Sequence, residues 1–255
     1  MRTLIYSNLF IALCAAILTL GTYGIIDHPP DVFLVLHVFG VTLMAYNVQR
    51  LARLEKFSNR TDQIRWYLRN KWMLYTSLLI GLLLAGITLF FLPIRILLYF
   101  SPLAVVSVFY SIPFNKGRTI RAIPGIKIFL ITGVWTGVTL ALPLVMAGQS
   151  IGEREILLMI QRFFFILAIT IPFDMRDLKY DEEHMRTIPQ TLGHVRSKQL
   201  AVALALSCVL IELLMIVWAE SLSLDRQAYL NIAFYLLVAG LISGVKKDSP
   251  DSYFT

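Results

Sequence analysis

Residues 156–181 read ILLMIQRFFFILAITIPFDMRDLKYD, and this stretch decides the fold. In its first part, residues 156–173, Gln161 and Arg162 are the strongly polar side chains in an otherwise apolar run. A helix needs roughly 20 apolar residues to cross a hydrocarbon core, whereas a surface helix of a water-soluble domain shows one apolar stripe. After Pro172 the run gives way to a segment dense in Asp, Arg and Lys. An apolar helix that ends abruptly in charge is one leaving a bilayer.

Working outward from this run, the same pattern recurs at residues 4–26, 32–47, 73–92, 95–110, 125–146, 200–219 and 228–245. None of these alternates polar with apolar residues as a membrane β-strand does. The expected fold is therefore an all-α, polytopic membrane helix bundle of about eight transmembrane helices. Composition agrees: 57% of residues are hydrophobic, 15% are charged and mean hydropathy is +0.70. A water-soluble domain carries about a quarter charged residues, so this chain has too little polar surface to cover its apolar mass in water. The run at 4–26 follows one basic residue, Arg2, and meets no convincing small-residue cleavage site, so it reads as a first span and not a removed signal.

The formal charge of +7 does not point to nucleic acid, because the basic residues gather in particular connections. Arg50, Arg53, Lys56, Arg60, Arg65, Arg69 and Lys71 follow the second run, and Lys116, Arg118, Arg121 and Lys127 follow the fourth. Arg176, Lys179, Arg186, Arg196 and Lys198 follow the sixth run, and Lys246 and Lys247 lie in the tail. The alternate connections are short and carry at most one basic residue each, namely Arg95, Arg154 or Arg226. By the positive-inside rule both termini and the long connections face the cytoplasm of a multi-pass protein of a cell membrane, expected to be a bacterial inner membrane. The basic connections also suit anionic membrane lipids. Residues 1–255 read as one membrane domain in two four-span halves, about 1–111 and about 125–245, each with a long charged segment after its second span. Cys14 and Cys208 lie inside apolar runs and define neither a disulfide framework nor a metal spacing.

Three carboxylates follow the sixth run. If its helix continues, Asp174, Asp177 and Asp181 stand at i, i+3 and i+7 on one face. Hard oxygen ligands at that density suit Mg²⁺. The competing reading is a solvated helix end with Arg176 and Lys179 as ordinary ion-pair partners. After the fourth run, Tyr110-Ser111-Ile112-Pro113 leads to Lys116 and Arg118, with Pro113 and Gly117 marking a shaped turn. These two cations either hold an anionic group or simply enforce topology at the inner leaflet.

In this order the pieces resemble the UbiA-type family of intramembrane prenyltransferases. The resemblance lies in Asp174-Met175-Arg176-Asp177 with Asp181, in Thr187-Ile188-Pro189-Gln190-Thr191-Leu192-Gly193, and in Tyr110-Ser111-Ile112-Pro113 with Lys116 and Arg118. Span count, orientation and two-half organisation extend it over nearly the whole chain. It implies that a polyprenyl diphosphate is bound through Mg²⁺ between two aspartate-rich motifs at the cytoplasmic mouth. The prenyl group then passes to a lipophilic, often aromatic acceptor. It implies Asp174, Asp177 and Asp181 as catalytic and metal-site residues, and Lys116 and Arg118, with Tyr110 beside them, as the diphosphate clamp.

The first aspartate motif departs from the family pattern. The aligned stretch is Asn47-Val48-Gln49-Arg50-Leu51-Ala52-Arg53-Leu54-Glu55. Asn47 is kept and Glu55 is an acidic substitute that could serve as a metal ligand, but Val48 and Leu51 cannot ligate metal. Either Arg50 and Arg53 replace a metal ion, with Arg50 and Asn47 joining the diphosphate site, or the chain keeps the fold without the reaction. The second alternative makes it a non-catalytic subunit or scaffold that binds lipid or partner membrane proteins. A transporter is a weaker third, since the acidic residues collect at helix ends and not at mid-span. Elsewhere, His37 is expected to make an interhelical hydrogen bond and Arg162 to snorkel toward the outer surface. Pro102 and Pro172 are expected to kink their helices. No counterpart of the family's ninth helix is expected before Thr255, either because this protein is naturally shorter or because the chain ends before that helix.

Overall fold

The computed structural model describes residues 2–54, 62–111, 123, 125–178, 186–218 and 226–246, and every regular element among them is helical. They are α1 (Arg2–Tyr6), α2 (Leu9–Ile25), α3 (Val32–Leu54), α4 (Asp62–Arg69), α5 (Lys71–Leu89) and α6 (Ile94–Ser111). The remainder are α7 (Ile126–Thr136), a π-helical turn (Gly137–Ala141), α8 (Leu142–Met146), α9 (Glu153–Asp177), α10 (Ile188–Trp218) and α11 (Arg226–Ser243). Among the described residues, five segments are long and apolar enough to cross a membrane: Val32–Leu51, Lys71–Leu89, Ile126–Met146, Glu153–Asp177 and Ile188–Trp218. The shorter apolar helices Leu9–Ile25, Ile94–Tyr110 and Gln227–Ser243 occupy the other three expected spans. Large apolar side chains such as Ile94, Leu98 and Val217 are largely exposed, which only a lipid solvent makes favourable. The protein is an all-α, multi-pass membrane helix bundle.

The chain forms two compact units. The first comprises Met1–Ser107 with Gly137–Gln149, and the second Val108–Thr136 with Ser150–Thr255.

In the first unit α3 packs on both α5 and α2. The α3–α5 crossing is set by Gly40 and Gly81: a Cβ on Gly81 would lie 2.8 Å from the Gly40 carbonyl oxygen and 2.8 Å from the Met44 nitrogen. Those are backbone atoms that cannot yield, so glycine is required for this approach. Nearby, His37 Nδ1 lies 2.9 Å from Thr88 Oγ1, the interhelical hydrogen bond expected of it. Against α2, the π-helical turn presents the Thr139 carbonyl oxygen, which accepts a 2.7 Å bond from Thr22 Oγ1. The expected single span at 4–26 is broken at Asn8, whose φ of 63° is left-handed. Asparagine tolerates that conformation better than most residues. Helix α4 was not foreseen; Trp66 and Tyr67 on it pack against Tyr6 of α1, with ring centroids 5.3 and 5.9 Å away.

In the second unit α10 packs against α9 and α11, and α7 against α9. Ala168, Ala201 and Ala205 are fully buried, and their small side chains bring the α9 and α10 backbones close. Helix α9 starts with Glu153 and Glu155 at its positive end, and Glu155 Oε2 accepts a 3.0 Å bond from the Gly152 N–H. About two turns in, Gln161 Nε2 donates to Glu212 Oε2 at 2.7 Å and to the Cys208 carbonyl at 2.9 Å. Asn231 Nδ2 donates to Glu212 Oε1 at 2.8 Å, which ties α9, α10 and α11 together. Arg162 is only 7% exposed, packed within the protein instead of snorkelling outward.

Candidate functional site

The last turns of α9 carry the acidic segment. The helix ends at Asp177, and Leu178 serves as its C-cap. Asp174 and Asp177 therefore share a helix at i, i+3, whereas Asp181 lies outside the described residues. Negative side chains at a helix C-terminus face the negative end of the helix dipole, so each needs a cation close by.

Both have one. Lys127 Nζ lies 2.7 Å from Asp174 Oδ1, with the two side chains 8% and 4% exposed. Asp177 Oδ1 accepts a 2.8 Å bond from Arg176 Nε in a more open setting, 34% and 28% exposed. The Arg176 guanidinium also stands 5.4 Å over the Phe173 ring. Lys127 belongs to the first turn of α7, where the dipole disfavours a cation. Lys127 and Asp174 thus sit at unfavourable ends of two helices, and pairing relieves both.

In the sequence Lys127 stands among the basic residues after the fourth run, with no evident partner. The usable signal was its position: a lysine just inside an apolar helix start must find a carboxylate on a neighbouring helix or remain uncompensated.

The residues carrying the resemblance at 187–193 have a local physical role as well. Gln190 Oε1 accepts a 2.9 Å bond from the Thr187 N–H, a reach-back that starts α10, with Pro189 placed where its missing N–H costs nothing. Gly193 has φ 76° and ψ 170°, which breaks the helix and which a side chain would strain. In the same unit Tyr110 is buried near the end of α6. Lys116 and Arg118 lie outside the described residues.

In the first unit Asn47 is fully buried. Its Nδ2 donates to the Leu43 and Ser7 carbonyls at 2.8 and 3.3 Å, and its Oδ1 accepts from Asn8 Nδ2 at 3.1 Å. One amide hydrogen and the amide oxygen therefore serve the α1–α2 break, while the other hydrogen bonds back onto α3 itself. Arg50 stacks its guanidinium 4.8 Å over the Tyr67 ring. Glu55 lies outside the described residues.

Among the described residues no three candidate ligands converge, and Asp174 and Asp177 each already contact a cation.

No protein-family model and no characterised protein sequence matches the chain. Solved structures do. A UbiA homologue from Archaeoglobus fulgidus bound to GPP and Mg²⁺ superposes with a TM-score of 0.71 at 16% identity, covering 100% of this chain and 93% of that one. The same homologue bound to DMAPP and Mg²⁺ gives 0.68 at 14% identity, covering 99% and 92%. Bound to Cd²⁺ it gives 0.67 at 15% identity, covering 100% and 92%. The chain is a membrane helix bundle of this class, with a UbiA-type fold over its described length.

Proposed function

We propose that this chain is a membrane prenyltransferase. It takes the prenyl group of a polyprenyl diphosphate and delivers it to a lipophilic acceptor, possessing an aromatic ring in the simplest case. One observation carries this reading: the chain shares, end to end, the fold of a UbiA homologue bound to GPP and Mg²⁺, and it keeps Asp174 and Asp177 on the last turns of α9. Lys116 and Arg118, with Tyr110 nearby in sequence, would meet the diphosphate. The allylic C–O bond breaks with its electron pair leaving on the diphosphate, the acceptor attacks the allylic carbon, and the acceptor then loses a proton. Fixed cations act best on the charge that develops on the leaving group. Mg²⁺ use is part of the proposal through Asp177 and Asp181, and no step is assigned to it. The basic connections and both termini are proposed to face the cytoplasm of a bacterial inner membrane, following the Lys and Arg distribution.

The test is GPP binding to the detergent-purified chain in Mg²⁺ and in EDTA, followed by turnover with an aromatic acceptor. Binding that weakens at least tenfold in an Asp177→Asn, Asp181→Asn double variant supports the reading. A folded chain that binds no prenyl diphosphate under either condition defeats it.

A second reading is favoured by Val48, Leu51, Arg50 and Arg53 at the first-motif positions and by the engagement of Asp174 with Lys127. It makes the chain a non-catalytic subunit that holds lipid or a partner membrane protein. Native mass spectrometry from membranes separates the two: this reading requires a stoichiometric partner, and a free chain alone removes it.

A further inference from the structure

We propose that Lys127 takes the place of a divalent cation at Asp174, so that Asp174 is closed to metal. The acidic end of α9 would then use one ion fewer than a site in which all its aspartates are ligands. The inference gives the proposed diphosphate site its ion count, and it rests on that reading only for its purpose.

The geometry is that of an occupied cation position. The ammonium is at direct hydrogen-bond distance, 2.7 Å, from Asp174 Oδ1, and it comes from a different helix, α7. A Mg²⁺ ion would need to approach the same carboxylate to about 2.0–2.1 Å. On either oxygen it would lie within roughly 6 Å of the ammonium, and at that range two cations repel strongly where water is scarce. Water is scarce here, since both side chains are more than nine-tenths buried.

The pair is also anchored from both sides. Asp174 lies between Pro172 and Asp177 in the final turns of α9, next to Met175 of the buried core. Lys127 is followed immediately by Ile128 of that same core. Core packing of the adjacent residues holds both backbones in place.

The contrast with Asp177 sharpens the assignment. Its partner is Arg176, the adjacent residue on its own helix, and both are about a third exposed. A solvated pair of neighbours opens at little cost, whereas a buried interhelical pair does not. Asp177 thus remains available to metal and Asp174 does not.

Counting Mn²⁺ bound to the full-length chain in detergent, by the EPR signal of the free ion and without prenyl diphosphate, tests the inference. Asp174→Asn should leave the count of the unaltered protein unchanged. Lys127→Met should add one Mn²⁺, and the Lys127→Met, Asp174→Asn double variant should return to the original count. Circular-dichroism melting reports which variants are folded, and Lys127→Gln serves if the methionine variant is not. An ion lost in Asp174→Asn overturns the inference, as does a folded Lys127 variant that gains none. Because no prenyl diphosphate is present, a failure to bind GPP removes the proposed function while the ion count still decides this point.

Discussion

Asn47 and Asp174 are both buried polar residues on helices, each opening a charged stretch of sequence, yet the protein satisfies them by opposite means. Asn47 is answered by neutral groups alone: two carbonyls and the amide of Asn8. Asp174 is answered by a full counter-charge, Lys127. A neutral amide can be satisfied by whatever backbone lies near it, and its natural product is architecture, here the fixed break between α1 and α2. A buried carboxylate cannot be settled so locally. It demands a cation from another element, and the choice of cation is where chemistry enters. The first charged stretch therefore has a structural anchor at its head and the second an electrostatic one.

The largest effect should come from unpairing the charged anchor. Lys127→Met or Asp174→Asn alone should cost about 3–5 kcal/mol of stability, read from reversible unfolding in mixed micelles, because each leaves an uncompensated buried group. The double variant should recover most of that loss. A double variant no better than the singles would show that the two residues do not act as a pair.

Glu212 is an intermediate case, a buried carboxylate that accepts from the amides of Gln161 and Asn231. Glu212→Leu should cost about 2 kcal/mol in the same assay, since a buried donor on Gln161 and a half-buried one on Asn231 lose their acceptor, and Glu212→Gln clearly less. Equal losses for Leu and Gln would mean that hydrogen bonding at this position contributes nothing.

Asn47→Ala should cost about 1–2 kcal/mol and leave the affinity for GPP within about twofold, as befits a residue engaged with its own chain. A tenfold fall in GPP affinity with stability intact would move Asn47 into the binding site and erase the contrast. The smallest effect is expected at Arg50, whose stacking on Tyr67 contributes about 0.5–1 kcal/mol. Arg50→Gln should lower stability by that amount, and a larger fall in GPP affinity would give Arg50 the role in diphosphate binding that the resemblance implies.

The helices were legible because lipid imposes a length and a polarity that no packing detail overrides. Their ends were less so. Hydropathy stops the second span at Asn47, but α3 continues to Leu54, since Gln, Arg, Leu and Ala are good helix formers once outside the hydrocarbon. Likewise α10 begins at Ile188 and not at residue 200: the Thr187–Gln190 reach-back starts a short helix whether or not the next residues are apolar, and the long span resumes after the break at Gly193. The break at Asn8 was hidden by its apolar neighbours, although Asn in a membrane run is itself a hint of a special backbone. At the site, the acidic stretch was visible as sequence. Its pairing was not, because Lys127 and Asp174 are brought together only by the α7–α9 packing. Of the expected i, i+3, i+7 stripe, Asp174 and Asp177 share α9, and Asp181 lies outside the described residues.

The Gln161–Glu212–Asn231 network has a consequence for how the protein is made. A carboxylic side chain inside the apolar run of α10 is a poor passenger for a lone segment leaving the translocation channel, where an acidic residue costs up to about 2.5–3.5 kcal/mol at mid-helix and less toward the ends. Gln161 on the preceding helix supplies a donor 2.7 Å from that carboxylate, and Asn231 on the following one supplies another. The three segments are then best released into lipid as a group, and α10 should insert less efficiently in a glycosylation-mapping assay when synthesised alone than when α9 precedes it. The order in which the ribosome delivers these helices, each polar group arriving next to the one that accepts it, is part of what makes the sequence membrane-competent.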